Sequence, residues 1–418
     1  MKKLFCIMMT LLLLANGWIC AYATHTREEV RAAYRTISDW SDSTPYVENP
    51  VISAPYAAGK LNPDAISDAL NYLNFIRWLA GLEVPVKQSR IYNYQCQHGA
   101  VLLAALDYVD HNAPRPEDMD ENFYNSAHLA TISGNIAKFN WMRNAILREG
   151  VEYFVRDDGD NNLAVLGHRR WALNPYMAST GFGLANSATG MSYVTMYAHD
   201  AGNPEAEWTE VCWPSAGAFP ATLMHADLAW SIILNPEIYD LDASLPTVVL
   251  AESESGLRFE FQPATGTGDG FCTFNFEDYG AGPCLIFRPD FSNTDFTDYQ
   301  QNQRWTVSVE GLCRLDGSSA TLEYTVDMIS LFVEDVAAIE LSQLEATLRP
   351  GESMTLSAQV LPTYADDLRV EWISSNPNVA SVDTAGAVTA LGTGICEITA
   401  RSANGRSDTC ILTVSDTE

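Results

Sequence analysis

The sequence predicts a multidomain chain: an α+β N-terminal domain built as an α-β-α sandwich, followed by two all-β sandwich modules. Three observations predict it. Apolar residues recur at helical spacing from residue 62 to about 155, and the period changes to two after Asn174-Pro175. From residue 216 onward the chain reads as short runs of β-branched and aromatic residues between Gly, Asp, Asn and Pro. With 418 residues, 47% of them hydrophobic, the chain is long and apolar enough for several packed cores.

Taken in order, residues 1–23 read as a secretory signal: Lys2 and Lys3, a largely apolar run, then Ala21-Tyr22-Ala23, with Thr24 as the expected mature N-terminus. Residues 24–61 form an extension. Residues 62–82 read as a helix with Asn62 as cap, Pro63 in the first turn and Gly81 at the end; Ile66, Ala69, Leu70, Leu73, Ile76 and Ala80 form its buried face. A second helix is expected from about Ser89 to Val109, with Ile91, Tyr94, His98, Val101, Ala105 and Val109 on one stripe, and a third from about Trp141 to Val155. TGFGLA and MSYVTMYA then read as two strands joined by a loop, ending a domain of residues 62–215. In residues 216–333 the runs TVVLAE, LRFEFQP, CTFNFED, CLIFRP, RWTVSVEGL and LEYTVDMISLF predict a β-sandwich. Residues 334–418 form a second all-β module.

Composition narrows the partners. The formal net charge of −29 repels phosphate backbones and anionic membrane surfaces, and no basic stripe interrupts it, so nucleic acid is not an expected partner. No stretch beyond the signal approaches the roughly 18 apolar residues of a membrane span. Seven of nine cysteines follow the signal; bridges Cys396–Cys410, across an Asn404-Gly405 turn, and Cys272–Cys284 are the candidate pairs, leaving at least one free thiol.

Two resemblances add to this reading. LRPGESMTL, VLPTYA, VEWISSNPNVASVD, GAVTALGTGICEITA and TCILTV occur in the order of a bacterial Ig-like group 2 domain, with Trp372 as the large core residue and turns at Pro350-Gly351 and Asn376-Pro377. The resemblance implies an exported or surface-associated bacterial protein in which this module is a spacer or adhesive arm. LNYLNFIRWLAGL, QHGAVLLAA, HNAP, SGNIA, LGHRRWALNP and the TGFGLA…YVTMYA pair resemble the CAP superfamily of cysteine-rich secretory, antigen 5 and pathogenesis-related proteins. That resemblance implies a cleft with two histidines, carried here by His111 and His168, and two acidic residues. Where the family commonly reads Gly-Glu-Asn-Ile this chain reads Ser133-Gly134-Asn135-Ile136, so Gly134 replaces the first carboxylate; Glu149, Glu152, Asp157 and Asp158 compete for the second.

The expected cleft is therefore His111, His168, Asn135, Glu152 and Asp157, with no residue assigned a catalytic role. A zinc ion at His111 and His168, completed by one carboxylate, is the cofactor the pattern points to. The competing structural readings are a backbone-bound His168 at a helix-to-strand junction and a His111 that caps a helix C-terminus. Arg169 and Arg170 are expected to pair with Asp157, Asp158 or Asp160, RDDGDNN (156–162) to be a solvated turn, PRPEDMDEN (114–122) a solvated rim, and His98 a satisfied core residue. The function expected first is non-enzymatic binding of a small molecule, lipid or peptide. A metal-assisted hydrolase or peptidase, or an adhesin that meets a host or matrix surface, are the alternatives.

Overall fold

The structure is a computed structural model and describes residues 25–37, 44–140, 146–159, 162–363 and 365–416. The expected signal, with Cys6, Cys20 and the cleavage site, lies outside the described residues. The chain forms two compact units that divide between Ile329 and Ser330.

The first unit begins with helix α1 (Arg27–Ile37) and α2 (Pro63–Leu79). Asn62 caps α2 by accepting from the Asp64 amide, and Ile66, Ala69, Leu73, Ile76 and Ala80 are buried as the spacing requires, while Leu70, at the edge of that face, is half-buried. Helix α3 (Arg90–Leu106) starts at its Ser89 cap and ends at Asp107, whose φ is 59°. Its expected stripe holds only in the middle. His98 and Val101 are buried, but Ile91 is 67% and Tyr94 57% exposed. The buried run Cys96–Ala104 is instead covered on several sides, so no single face carries the burial.

Helix α4 (Glu121–Ile132) has no strong apolar period and was not expected; Asp120, read as solvated rim, caps it by accepting from the Asn122 and Phe123 amides. Helix α5 (Ile146–Arg156) covers the later part of the expected third helix, and the short α6 (Gly167–Ala172) carries His168. A three-stranded antiparallel sheet, in the order Gly134–Phe139, Ser192–Tyr197, Phe182–Asn186, lies between α3 and α5. Strand alternation decides the layers. Thr195 donates to the Cys96 carbonyl and Tyr197 stacks on Tyr92, both on α3, whereas Val194 meets Gly150 on α5. Gly183 must lack a side chain, since a Cβ there would lie 2.1 Å from the Cys96 oxygen. The three layers are thus α, β and α.

The strands expected after residue 216 all form. A six-stranded sheet contains Thr247–Glu252, Arg258–Gln262, Arg304–Cys313 and Ser319–Ile329; a four-stranded sheet runs Gly270–Asn275, Cys284–Pro289, Trp230–Leu234, Glu210–Trp213. Glu210–Trp213 precedes residue 216 yet is an edge strand of this sandwich. Trp230 and Phe287 from one sheet meet Trp305 and Phe261 from the other, and all four are fully buried. The helical layers and this sandwich belong to one compact unit.

In the second unit, Glu345–Leu348, Ser407–Val414, Gly394–Ser402 and Val370–Ser374 form one sheet and Ser353–Thr355, Ala387–Ala390 and Ala380–Val382 another. Leu356, Val388, Ile398 and Leu412 fill the space between. Trp372 is only partly buried, and packs against both core clusters of the unit. None of the seven described cysteines is in a disulfide, against the two expected bridges. Register explains this: Cys396 stands opposite Leu412 and Cys410 opposite Ile398, while Cys272 stands opposite Phe287 and Cys284 opposite Asn275. Among the described residues no helix is long and apolar enough to cross a membrane.

Candidate functional site

His168 occupies the first turn of α6, a helix rather than the expected junction with a strand. The turn before it, closed by bonds from the Leu163 and Leu166 amides to Gly159 and Asn162, brings Leu166 to a left-handed φ of 46°. The Tyr279 ring lies 3.0 Å from where a Cβ on Gly167 would stand, so a side chain before His168 would have to displace that ring.

Asp157 fixes the imidazole. It follows the end of α5 at a left-handed φ of 51°, a conformation uncommon for a residue with a side chain. Only 1% of its side chain is exposed, so this part of RDDGDNN is not a solvated turn. Asp157 Oδ1 lies 3.0 Å from His168 Nδ1 and accepts from Asn162 Nδ2 at 2.8 Å; Oδ2 accepts from the Arg169 amide at 3.3 Å. Nδ1 also lies 3.1 Å from Asn162 Nδ2; a carboxylate only accepts, so a proton on Nδ1 answers Asp157, leaves the Asn162 hydrogen to the same carboxylate and keeps Nε2 as an acceptor. Phe154 flanks the ring at 5.3 Å, and Asn135 donates to the His168 carbonyl at 2.9 Å.

The other expected residues separate. His111 is exposed, and its Nδ1 donates to the Thr131 carbonyl at 2.7 Å, so it does cap a helix C-terminus, that of α4 rather than α3. Among the described residues no hydrogen bond or ring contact joins it to His168. Its titrating neighbour is His199, whose pKa burial lowers first and the nearby His111 lowers further, against the opposing charge of Asp278. Glu152 is engaged elsewhere, accepting from Tyr72 at 2.9 Å and pairing with Arg156 at 3.7 Å. The glutamate missing at Gly134 has no room: a Cβ there would fall 2.5 Å from the Ala130 oxygen and 2.8 Å from that of Met196. Among the described residues no three His, Cys, Asp or Glu side chains converge to hold a metal ion, so the histidine pair gains no third protein ligand.

Sequence reasoning found no pattern to support His199, whose ring lies tilted against that of Trp171, with centroids 4.1 Å apart. Trp171 stands three residues after His168, a spacing that shares a helix face once the segment is read as helical. The arginines also behave differently from expectation. Both are fully buried. Arg169 donates to the Val155, Arg156 and Ala229 carbonyls and to Ser231, and Arg170 to Val165, Asn275, Glu277 and Gly282. They fasten α6 to the β-sandwich through neutral oxygens; of the expected partners, Asp157 bonds the Arg169 amide and Asp160 lies outside the described residues. His98 is a core residue bonded through Nδ1 to the Tyr94 carbonyl at 2.7 Å, as expected.

The comparisons with known proteins bear on the second unit. Residues 335–412 match the bacterial Ig-like domain, group 2. Similar proteins of other kinds match over short segments. Kappa-carrageenase of Pseudoalteromonas carrageenovora is 41% identical over 81 residues, covering 19% of this chain and 20% of that protein. Lacto-N-biosidase of Bifidobacterium bifidum is 40% identical over 70 residues, covering 17% of this chain and 6% of that one. The chain thus spans a fifth or less of the length of these relatives. Among solved structures, an intimin mutant of EHEC O157:H7 shows 19% identity over 19% of this chain and 46% of its own, with a TM-score of 0.16. An Ig-like-domain-containing GH10 xylanase from termite gut shows 28% identity over 18% of this chain and 20% of its own, with a TM-score of 0.14.

Proposed function

We propose that the helical layers form a CAP-like head that binds a small molecule, lipid or peptide beside His168 without transforming it, and that the Ig-like modules hold this head away from a bacterial surface. The observation that carries the reading is the His168–Asp157 pair. A buried carboxylate takes up Nδ1, and Nε2 is left as an oriented acceptor on a side chain that is still 16% exposed. Such an arrangement suits a ligand hydroxyl or N–H. The α-β-α layering supports the CAP resemblance, and the bacterial Ig-like match supports an exported or surface location.

Native mass spectrometry of the purified chain tests it. A retained ligand that survives chelation and is lost in His168→Ala, with the circular dichroism unchanged, is the expected result. A second reading rests on the same pair, because an aspartate-oriented imidazole is also an arrangement for general base work in a hydrolase or peptidase. Turnover of peptide or ester substrates that His168→Ala abolishes would replace binding by catalysis. Surface attachment, the third expectation, is to be assayed with residues 24–329, since a fragment ending at 215 would strip the Glu210–Trp213 edge strand from its sheet.

A further inference from the structure

A pocket of about 300 Å³ opens over the first half of α3, between residues 58–61, the start of α2 and Phe182, and shares no residue with the His168 site. Leu61, Ile66 and Phe182, all buried, line it together with the Tyr94 ring, which stays 57% exposed. The volume suits a single ring with a short side chain. His98 lines the same pocket and is 6% exposed. The rings of Tyr94 and Phe123 pack against its imidazole, with centroids 4.1 and 4.3 Å away. Nδ1 donates to the Tyr94 carbonyl at 2.7 Å, so Nε2 is the acceptor of the neutral ring. Burial lowers the His98 pKa, against the effect of the Tyr94 carbonyl, and favours that neutral form. Nε2 has no partner among the described residues and, unlike the orphaned Nδ1 of His128, is not sealed from solvent. An acceptor held in place by two rings selects a donor on whatever fills the pocket.

The charges lining the pocket have one sign. Lys60 and Arg90 line it with no acidic residue, in a chain whose net charge is −29. Neither makes an ion pair or a side-chain hydrogen bond among the described residues, and Glu48, the register partner of Lys60, does not line the pocket. Pro63 and Arg90 are the first residues of α2 and α3, so two helix N-termini add to the positive potential. Arg90, Tyr94 and His98 stand at i, i+4 and i+8, which puts cation, ring and acceptor in a row on one face of α3 over about 12 Å of axis. The long side chains of Lys60 and Arg90 shorten that span, so one ring with an acid tail covers it. A carboxylate answers the cations, an aromatic ring the Tyr94 wall, and a hydroxyl His98. We propose that this pocket binds an aromatic carboxylate with a hydroxyl at the far end of its ring, the carboxylate at Lys60 and Arg90 and the hydroxyl donating to His98 Nε2.

Calorimetric titration of the full chain with trans-4-hydroxycinnamate, cinnamate and 4-hydroxycinnamamide tests this. The hydroxy acid is expected to bind, cinnamate about fivefold more weakly, and the amide at least about tenfold more weakly. Arg90→Gln combined with Lys60→Gln changes two exposed residues and is expected to weaken the hydroxy acid to the level of the amide. His98→Phe keeps a ring against Tyr94 and Phe123 and is expected to bind the hydroxy acid no better than cinnamate; should that variant fail to fold, the two acids on the unaltered chain still decide. Binding is expected to survive His168→Ala, and its loss there would assign the ligand to the His168 site and overturn the proposal. Equal binding of acid and amide, equal binding with and without the hydroxyl, or no binding of the hydroxy acid up to ~10 mM also overturns it.

Discussion

Asp157→Ala is the most informative single perturbation of the His168 site. The carboxylate receives hydrogen bonds from His168, Asn162 and the Arg169 amide, and its charge offsets the burial of the Arg169 guanidinium. His168 and Asn162 are partly exposed and find water when released, so each loses a net bond of about 1 kcal/mol. The Arg169 amide is buried, and leaving it without a partner costs about 2 kcal/mol more. The expected loss is therefore roughly 4 kcal/mol, within the range for removing one partner of a buried charged network. Urea unfolding followed by tryptophan fluorescence measures it, because six of the seven described tryptophans precede residue 330 and report on the first unit. Nitrogen NMR of His168 gives an independent readout, as the preference for a proton on Nδ1 is expected to vanish. A loss below about 1 kcal/mol with the tautomer unchanged would refute the idea that Asp157 holds the imidazole.

Three further outcomes are expected. Gly134→Glu, which supplies the carboxylate that the CAP pattern would have, is expected to lower soluble yield and melting temperature by displacing backbone at Ala130 and Met196, and not to create a metal site; a stably folded variant with stoichiometric zinc contradicts this. His98, His199 and His225 all have pKa values lowered chiefly by burial, so the unfolded chain takes up protons that the folded chain resists; the urea midpoint is expected to fall between about pH 7.5 and 5.5, above the carboxylate range, and a flat or rising midpoint would show otherwise. Thiol titration of the chain from Thr24 is expected to find all seven cysteines in denaturant but rapid reaction only at the partly exposed Cys313 in the native state, and five thiols or fewer in denaturant would reveal a bridge.

How much was legible depends on how local each signal was. The α2 boundaries follow from Asn62, Pro63 and Gly81, groups that act within one turn of their own position. The sandwich strands follow from alternation, visible as the burial pattern of Thr247–Glu252, where every second residue is buried. Helix α4 escaped because ENFYNSAHLATI carries little amphipathic pattern and is held by packing against α3. The stripe on α3 misled because a helix covered on several sides has no distinct apolar face. At the site, Asp157 was one of four competing carboxylates, and spacing along the chain does not say which of them turns toward His168.

From the sequence alone came the division into helical and strand-rich regions, the bacterial Ig-like domain and the choice of His168 as a candidate, because periodicity, caps and turn residues act over a few positions. The tertiary structure alone decided that Asp157 orients His168, that His111 caps α4 instead, that Arg169 and Arg170 fasten α6 to the sandwich, and that Arg77 lies buried against the Ala172 and Asn174 carbonyls. Hydrogen bonds and charges act through a few ångströms of space, and which groups come that close is fixed only when distant segments pack.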